Sequence, residues 1–97
     1  MRVLLTEIAK QELAEARAYL DMQQAGLGKR FAREIRDAAV HIRRFPEAFP
    51  RERGEARKYL LHRFPYKLYA LRGGDAIVIA VAHQHRRPDY WTDREQT

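Results

Sequence analysis

The 97-residue chain has no cysteine, one tryptophan, four prolines and five glycines. Without a thiol it can form no disulfide and offers no thiolate to a metal, a composition that suits a reducing cytoplasm. Long apolar runs are absent too. Val3-Leu4-Leu5 is too short for the core of a secretory signal. No stretch approaches the roughly 20 apolar residues of a membrane helix. The expectation is a soluble, cytoplasmic protein with no membrane partner. The few glycines build no phosphate loop: Gly26-Leu27-Gly28-Lys29 lacks the preceding strand and the full glycine spacing. No Gly-x-Ser-x-Gly nucleophile elbow occurs. With no low-complexity segment, residues 1–97 read as one domain with a thin core.

What is present is positive charge. Nineteen Lys and Arg stand against thirteen Asp and Glu, a formal net charge of +6. The excess is uneven. Residues 51–72 carry seven basic and two acidic side chains, and residues 26–50 carry six and three. The two ends are each slightly acidic. A basic middle steers the chain toward polyanions or an acidic protein partner.

Two helices are legible. Thr6 can cap a helix starting at Glu7, whose charge suits the helix N-terminus. Ala9, Leu13, Ala16 and Leu20 then share one helical face. Gly26 and Gly28 end that pattern, with Leu27 as a packing anchor. Phe31, Ile35, Ala38, Ile42 and Phe45 form a second stripe, which Pro46 stops. A short glycine-containing joint makes the pair an antiparallel hairpin. After a loop over 46–53, three strands are expected: Glu55 to His62, Tyr66 to Arg72 and Ala76 to Gln84. Gly73-Gly74-Asp75 is the hairpin turn between the last two. Arg86 to Thr97 reads as a polar tail.

The last strand is apolar on both faces. Strict alternation points Ile77, Ile79 and Val81 one way and Val78, Ala80 and Ala82 the other. The helical hairpin can cover one face. A chain of this length has little left for a second cover, so a partner protein is expected on Val78, Ala80 and Ala82.

Candidate chemistry gathers at the end of this strand. His83 and His85 share a face, and imidazole is the side-chain type best suited to giving and taking protons. They lack the further ligands a metal site needs, since Glu47, Glu55 and Asp89 are unplaced, and no metal is expected. Arg57, Lys58, Arg63, Lys67, Arg72, Arg86 and Arg87 interleave with Tyr59, Tyr66, Tyr69, Tyr90 and Trp91. Such mixtures serve single-stranded RNA binding and protein interfaces equally.

Several features together resemble one family. They are the hinge Gly26-Leu27-Gly28 followed by Phe31, the loop Phe45-Pro46 to Phe49-Pro50, and the step Phe64-Pro65-Tyr66. The ending from Ala80-Val81-Ala82-His83 to Arg87-Pro88-Asp89-Tyr90-Trp91 completes the set. From about Glu7 to Arg94 the chain resembles the RelE/ParE superfamily of toxins from type II toxin–antitoxin systems, on its ParE side. The resemblance implies an α+β fold: a short N-terminal strand, an antiparallel helical hairpin, then a three-stranded antiparallel meander. It implies no cofactor, and a cognate antitoxin that wraps the toxin in a hetero-oligomer. Arg57, Lys67, Val78, Ala80 and Ala82 are the candidate antitoxin contacts, matching an acidic and apolar antitoxin tail. ParE-like members poison DNA gyrase by binding it, for which Arg86, Arg87, Tyr90 and Trp91 are the candidate contacts. RelE-like members instead cleave mRNA on the ribosome. Here His85 would be the acid, with Lys67 and Arg63 as phosphate-binding cations. No carboxylate is evidently placed as the base, so binding to gyrase is the favoured mechanism and ribonuclease the alternative.

Overall fold

The computed structural model describes residues 2–54, 56–71 and 76–96. Thr6 caps the first helix as expected: its Oγ1 accepts the Ala9 N–H at 3.2 Å, and α1 runs Glu7–Gln23. Ala9, Ala16 and Leu20 are buried along it, and Leu13 is packed against the same core. Gly26 turns the chain with φ +93°, a left-handed conformation that disfavours a side chain. Helix α2 then runs Leu27–Arg44 and buries Phe31, Ile35, Ala38 and Ile42. Phe45 departs from the expected stripe. It is the C-cap residue, outside helical geometry, and lies exposed.

The helix pair is clamped at Gly28. Its N–H donates to Asp21 Oδ1 at 2.8 Å. A Cβ added there would lie 2.8 Å from the Arg17 carbonyl oxygen. Gly28→Ala is therefore expected to destabilise the protein by about 1–3 kcal/mol, because backbone must move to relieve the overlap. Thermal or urea unfolding tests this, and an unchanged midpoint would show that the hinge is not tightly packed.

The strands are β1 Val3–Leu5, β2 Arg51–Arg53, β3 Ala56–Leu60, β4 Tyr66–Leu71 and β5 Ala76–His83. They form one sheet in the order β1-β5-β4-β3-β2. The meander β3-β4-β5 is antiparallel as expected, and β1 joins β5 in parallel. The loop expected over 46–53 is partly structured: it ends in β2, which pairs with β3. Glu55, Arg72 and the turn Gly73-Gly74-Asp75 lie outside the described residues.

The helices cover one face of the sheet. Phe31 sits at the centre, its ring 4.8 Å from Tyr66 and 5.2 Å from Phe64. Leu68, Ala70, Val78 and Val81 complete that core. Glu34 Oε1 accepts the backbone N–H groups of His62 and Arg63, which ties the β3–β4 connection to α2.

The opposite face is covered by the chain itself, which corrects the expectation of a bare surface. Trp91 is 0% exposed and stacks obliquely on Tyr69, with ring centroids 4.6 Å apart. Together with Ala56, Ile79 and Ala80 it makes a second core, flanked by Leu71, Ile77 and Tyr90. The tail that brings Trp91 there passes through turns after His83 and ends in a 3-10 helix, Thr92–Gln96. Strict alternation along β5 fails as well. Tyr69 pairs with Ala80 and Ala70 with Val78, so Ile79 is an extra residue at a register shift. Val78 and Val81 therefore pack with the helices, while Ile79 and Ala80 both pack with Trp91.

Candidate functional site

The end of β5 forms a cleft of about 360 Å³ against α1. His83, His85 and Arg86 line it from the strand end, with Glu15 and Tyr19 from the helix and Tyr66 from β4. The two imidazoles lie face to face with centroids 5.0 Å apart. His83 Nδ1 accepts the His85 backbone N–H at 3.2 Å, leaving Nε2 as the other polar atom of that ring. Tyr66 meets the His83 ring edge-on at 5.5 Å. Tyr19 is more than half exposed at the cleft.

The three candidate ribonuclease residues are not brought together. His85 is in this cleft, whereas Arg63 lines a different cavity of about 300 Å³ with Arg30, Arg33, Glu34 and Asp37 of α2. Lys67 is buried at 4% exposure, and its Nζ donates to the Arg86 carbonyl at 2.7 Å. The same ammonium lies 5.7 Å from the centre of the Tyr69 ring. Its work is to hold the start of the tail on the sheet.

The five candidate antitoxin contacts also change role. Arg57 is buried under the Phe49 loop, donating to the Phe49 carbonyl at 3.2 Å and to Glu47 Oε1 at 3.3 Å. Val78 and Ala80 are fully buried, Ala82 nearly so, and Lys67 is engaged as described. Strict alternation and an undirected tail placed Val78, Ala80 and Ala82 on one bare face; the register shift turns Val78 to the helices and Trp91 covers Ala80.

Of the candidate target contacts, Arg86 and Arg87 are exposed, Tyr90 is half-buried and Trp91 is core. The Arg86 guanidinium lies 4.3 Å from the Tyr90 ring centre and that of Arg94 4.9 Å away. Burial, and next the Glu12 carboxylate, hold the Tyr90 phenol well above its ordinary pKa, so it stays neutral.

Sequence reasoning missed Glu12 and Arg94. Arg94 Nη1 and Nη2 bond the Glu12 carboxylate at 2.8 and 3.1 Å, and Nη1 also reaches the Ile79 carbonyl at 3.1 Å. Glu12 Oε1 in turn accepts the Val81 N–H at 3.0 Å. The available signal was an acid at the margin of the buried stripe, between Ala9 and Ala16. Among the described residues no group of three or more His, Asp or Glu could hold a metal. No described helix is long and apolar enough to cross a membrane.

Comparison with known proteins agrees with this architecture. The family model described as ParE toxin of type II toxin-antitoxin system, parDE, matches residues 3–88. Among solved structures, the chain is similar to one described as the chromosomal ParDE TA system from P. aeruginosa, with a TM-score of 0.67 at 14% identity. That likeness covers 86% of this chain and 95% of the other, and it concerns the fold. No curated protein sequence matches. With a family model spanning nearly the whole length, over the hairpin and all five strands, the chain belongs to the ParE toxin family of type II toxin–antitoxin systems.

Proposed function

We propose that this toxin arrests growth in the cytoplasm by binding DNA gyrase, and that a cognate antitoxin holds it inactive in a hetero-oligomer. The observation that carries a binding mechanism is the engagement of Lys67. A ribosome-dependent ribonuclease needs cations on the scissile phosphate beside an acid and a base. Here Lys67 is buried against Arg86, and Arg63 and His85 open into separate cavities. Arg86 instead lines the strand-end cleft with Tyr19, and the exposed Arg87 follows it in the chain. Arg residues and aromatics of this kind dominate protein interfaces.

The test is purified protein in a gyrase supercoiling assay, run in parallel with a translated mRNA. Loss of supercoiling or plasmid linearisation with intact message supports the proposal. Codon-phased cuts in the message with normal supercoiling would replace it with the ribonuclease reading. Arg87 gives a clean probe, since it is exposed and the Tyr90 ring meets Arg86 and Arg94. Arg87→Glu is expected to weaken gyrase inhibition about tenfold, through lost charge complementarity, while stability changes by less than about 0.5 kcal/mol. Inhibition curves and urea unfolding on the same preparation separate the two effects. Unaltered inhibition would take Arg87 out of the contact.

A further inference from the structure

Helix α2 carries six basic and two acidic side chains, most of the chain's formal net charge of +6. Its apolar face is spent on the core through Phe31, Ile35 and Ile42. What it leaves exposed is Lys29, Arg30, Arg33, Arg36 and Arg44, with Asp37 and His41 among them. At 3.6 residues per turn all seven fall within an arc of about 140°. From Lys29 to Arg44 that arc runs about 22 Å along the helix axis.

Few acids oppose this face. Glu34 is half-buried, and its Oε1 accepts the backbone N–H groups of His62 and Arg63. That fastening brings the exposed Arg63 to α2, where it lines a cavity of about 300 Å³ with Arg30, Arg33, Glu34, Asp37 and Phe64. Three guanidinium side chains from two separate elements thus converge on one opening. Glu34 and Asp37 stand four residues after Arg30 and Arg33 and partly offset them. Lys29 and Arg36 have no acid three or four residues away along the helix. Glu47, three residues after Arg44, bonds Arg57 instead. Asp37 is therefore the one exposed acid within the arc.

We infer that the outward face of α2, extended by Arg63, docks on the phosphate backbone of duplex DNA without reading its sequence. Each DNA strand carries a phosphate about every 3.4 Å of axis, so a cationic face of this length meets several at once. The core of a protein interface is poor in charge and rich in aromatic side chains. The arc holds no Trp, Tyr or Phe, and its one apolar residue, Val40, is half-buried. Nor does α2 contain Asn or Gln, the amides that read adenine. Affinity then comes from neutralised phosphates and released counterions. This contact goes beyond the gyrase reading, since it belongs to the toxin alone and is measured with no gyrase present.

The experiment titrates the full-length toxin into a fluorescently labelled DNA duplex and follows anisotropy over a salt series, with circular dichroism checking that each variant is folded. Wild type is expected to bind with a Kd of about 10⁻⁴–10⁻⁶ M near physiological salt, and to weaken steeply as salt rises. Arg33→Glu/Arg36→Glu should weaken binding about tenfold or more and lower the salt slope by about two. Asp37→Asn, which removes the exposed acid of the arc, should tighten it about two- to threefold. Lys10→Glu makes the same charge change as Arg36→Glu, but on α1, where Lys10 pairs with Glu7. It should cost clearly less than Arg36→Glu. Equal losses in those two would reduce the effect to net charge and overturn the inference. So would a wild type that fails to bind duplex at about 50 mM salt. A single-stranded RNA bound about tenfold tighter than duplex would make this an RNA surface. Vesicles containing phosphatidylglycerol that bind where duplex does not would make it a membrane surface. Either result also overturns the inference.

Discussion

Replacing Trp91 with alanine is expected to lower stability by about 3–5 kcal/mol, the range for removing a fully buried large aromatic. The side chain is the largest of the fully buried ones and sits on Tyr69 in the second core. Its loss leaves Ile79, Ala80 and Tyr69 without a cover on that face. Small domains hold only about 5–15 kcal/mol in total, so the variant should be partly unfolded near body temperature. Urea unfolding measures the loss, and dye binding reports the uncovered face. Trp91→Phe supplies the control. Trp91 Nε1 is buried without a hydrogen-bond partner among the described residues. Phenylalanine keeps most of the ring volume and removes that donor, so it should cost less than about 1.5 kcal/mol. Growth arrest is expected to survive Trp91→Phe. If arrest disappears while the protein stays folded, Trp91 contacts the target after all, and its burial must open on binding. If Trp91→Ala melts like wild type, the tail is not the cover described.

The helices and their caps were legible because their determinants are local. Thr6 needs only its own first turn to cap, and the stripes of α1 and α2 follow from a fixed periodicity. The order of elements and the antiparallel meander were legible for the same reason, with family resemblance adding a short first strand but not its parallel pairing with β5. What stayed hidden depends on distant partners. The extra residue at Ile79 is a property of how β5 pairs with β4, and nothing in Ile-Val-Ile-Ala marks it. One inserted residue moved Val78 to the helix side and set Ile79 and Ala80 side by side beneath Trp91. The fate of the tail was misread because its composition is polar, although it carries the chain's only tryptophan. The strand is apolar on both faces, and the tryptophan a short step beyond it was assigned to the target surface. The physical link between them, that the largest apolar side chain should cover the nearest apolar face, was the missing inference. The candidate site suffered accordingly. Lys67 and Arg57 were chosen for their charge, and both turned out to spend it on backbone carbonyls within the fold.

Glu12→Ala is expected to cost about 2–4 kcal/mol, because one carboxylate serves two partners at once. It pairs with Arg94 through two bonds and accepts the Val81 N–H. Arg94 in turn donates to the Ile79 carbonyl. Both backbone groups belong to β5 beyond Val78, the last residue that β1 pairs. Past that point β5 stays paired with β4, and these two side chains, one from α1 and one from the tail, take up backbone groups that β1 no longer reaches. The pair therefore joins both covers of the sheet at a single place. The side chains of Arg94 and Glu12 are only 17% and 16% exposed, so solvent screens them weakly. Removing the carboxylate takes two charge-assisted bonds from a weakly exposed guanidinium and leaves the Val81 N–H without its acceptor. A double-mutant cycle with Glu12→Gln and Arg94→Gln should give a coupling of about 1–3 kcal/mol, the range for contacting partners in one network. Arg94→Lys is expected to recover little, since an ammonium cannot bond both carboxylate oxygens and the Ile79 carbonyl in the same planar fork. Hydrogen exchange provides an independent readout: the Val81 amide should lose protection in either single variant. Additive losses with no coupling, or a Val81 amide that stays protected in Glu12→Gln, would show that Glu12 and Arg94 do not fasten the tail, leaving Trp91 and the Lys67 bond to the Arg86 carbonyl. A coupled result would add charge at Arg94 to those two attachments. Because that point acts on the backbone of β5, the tail would then fix the strand end from which His83, His85 and Arg86 project.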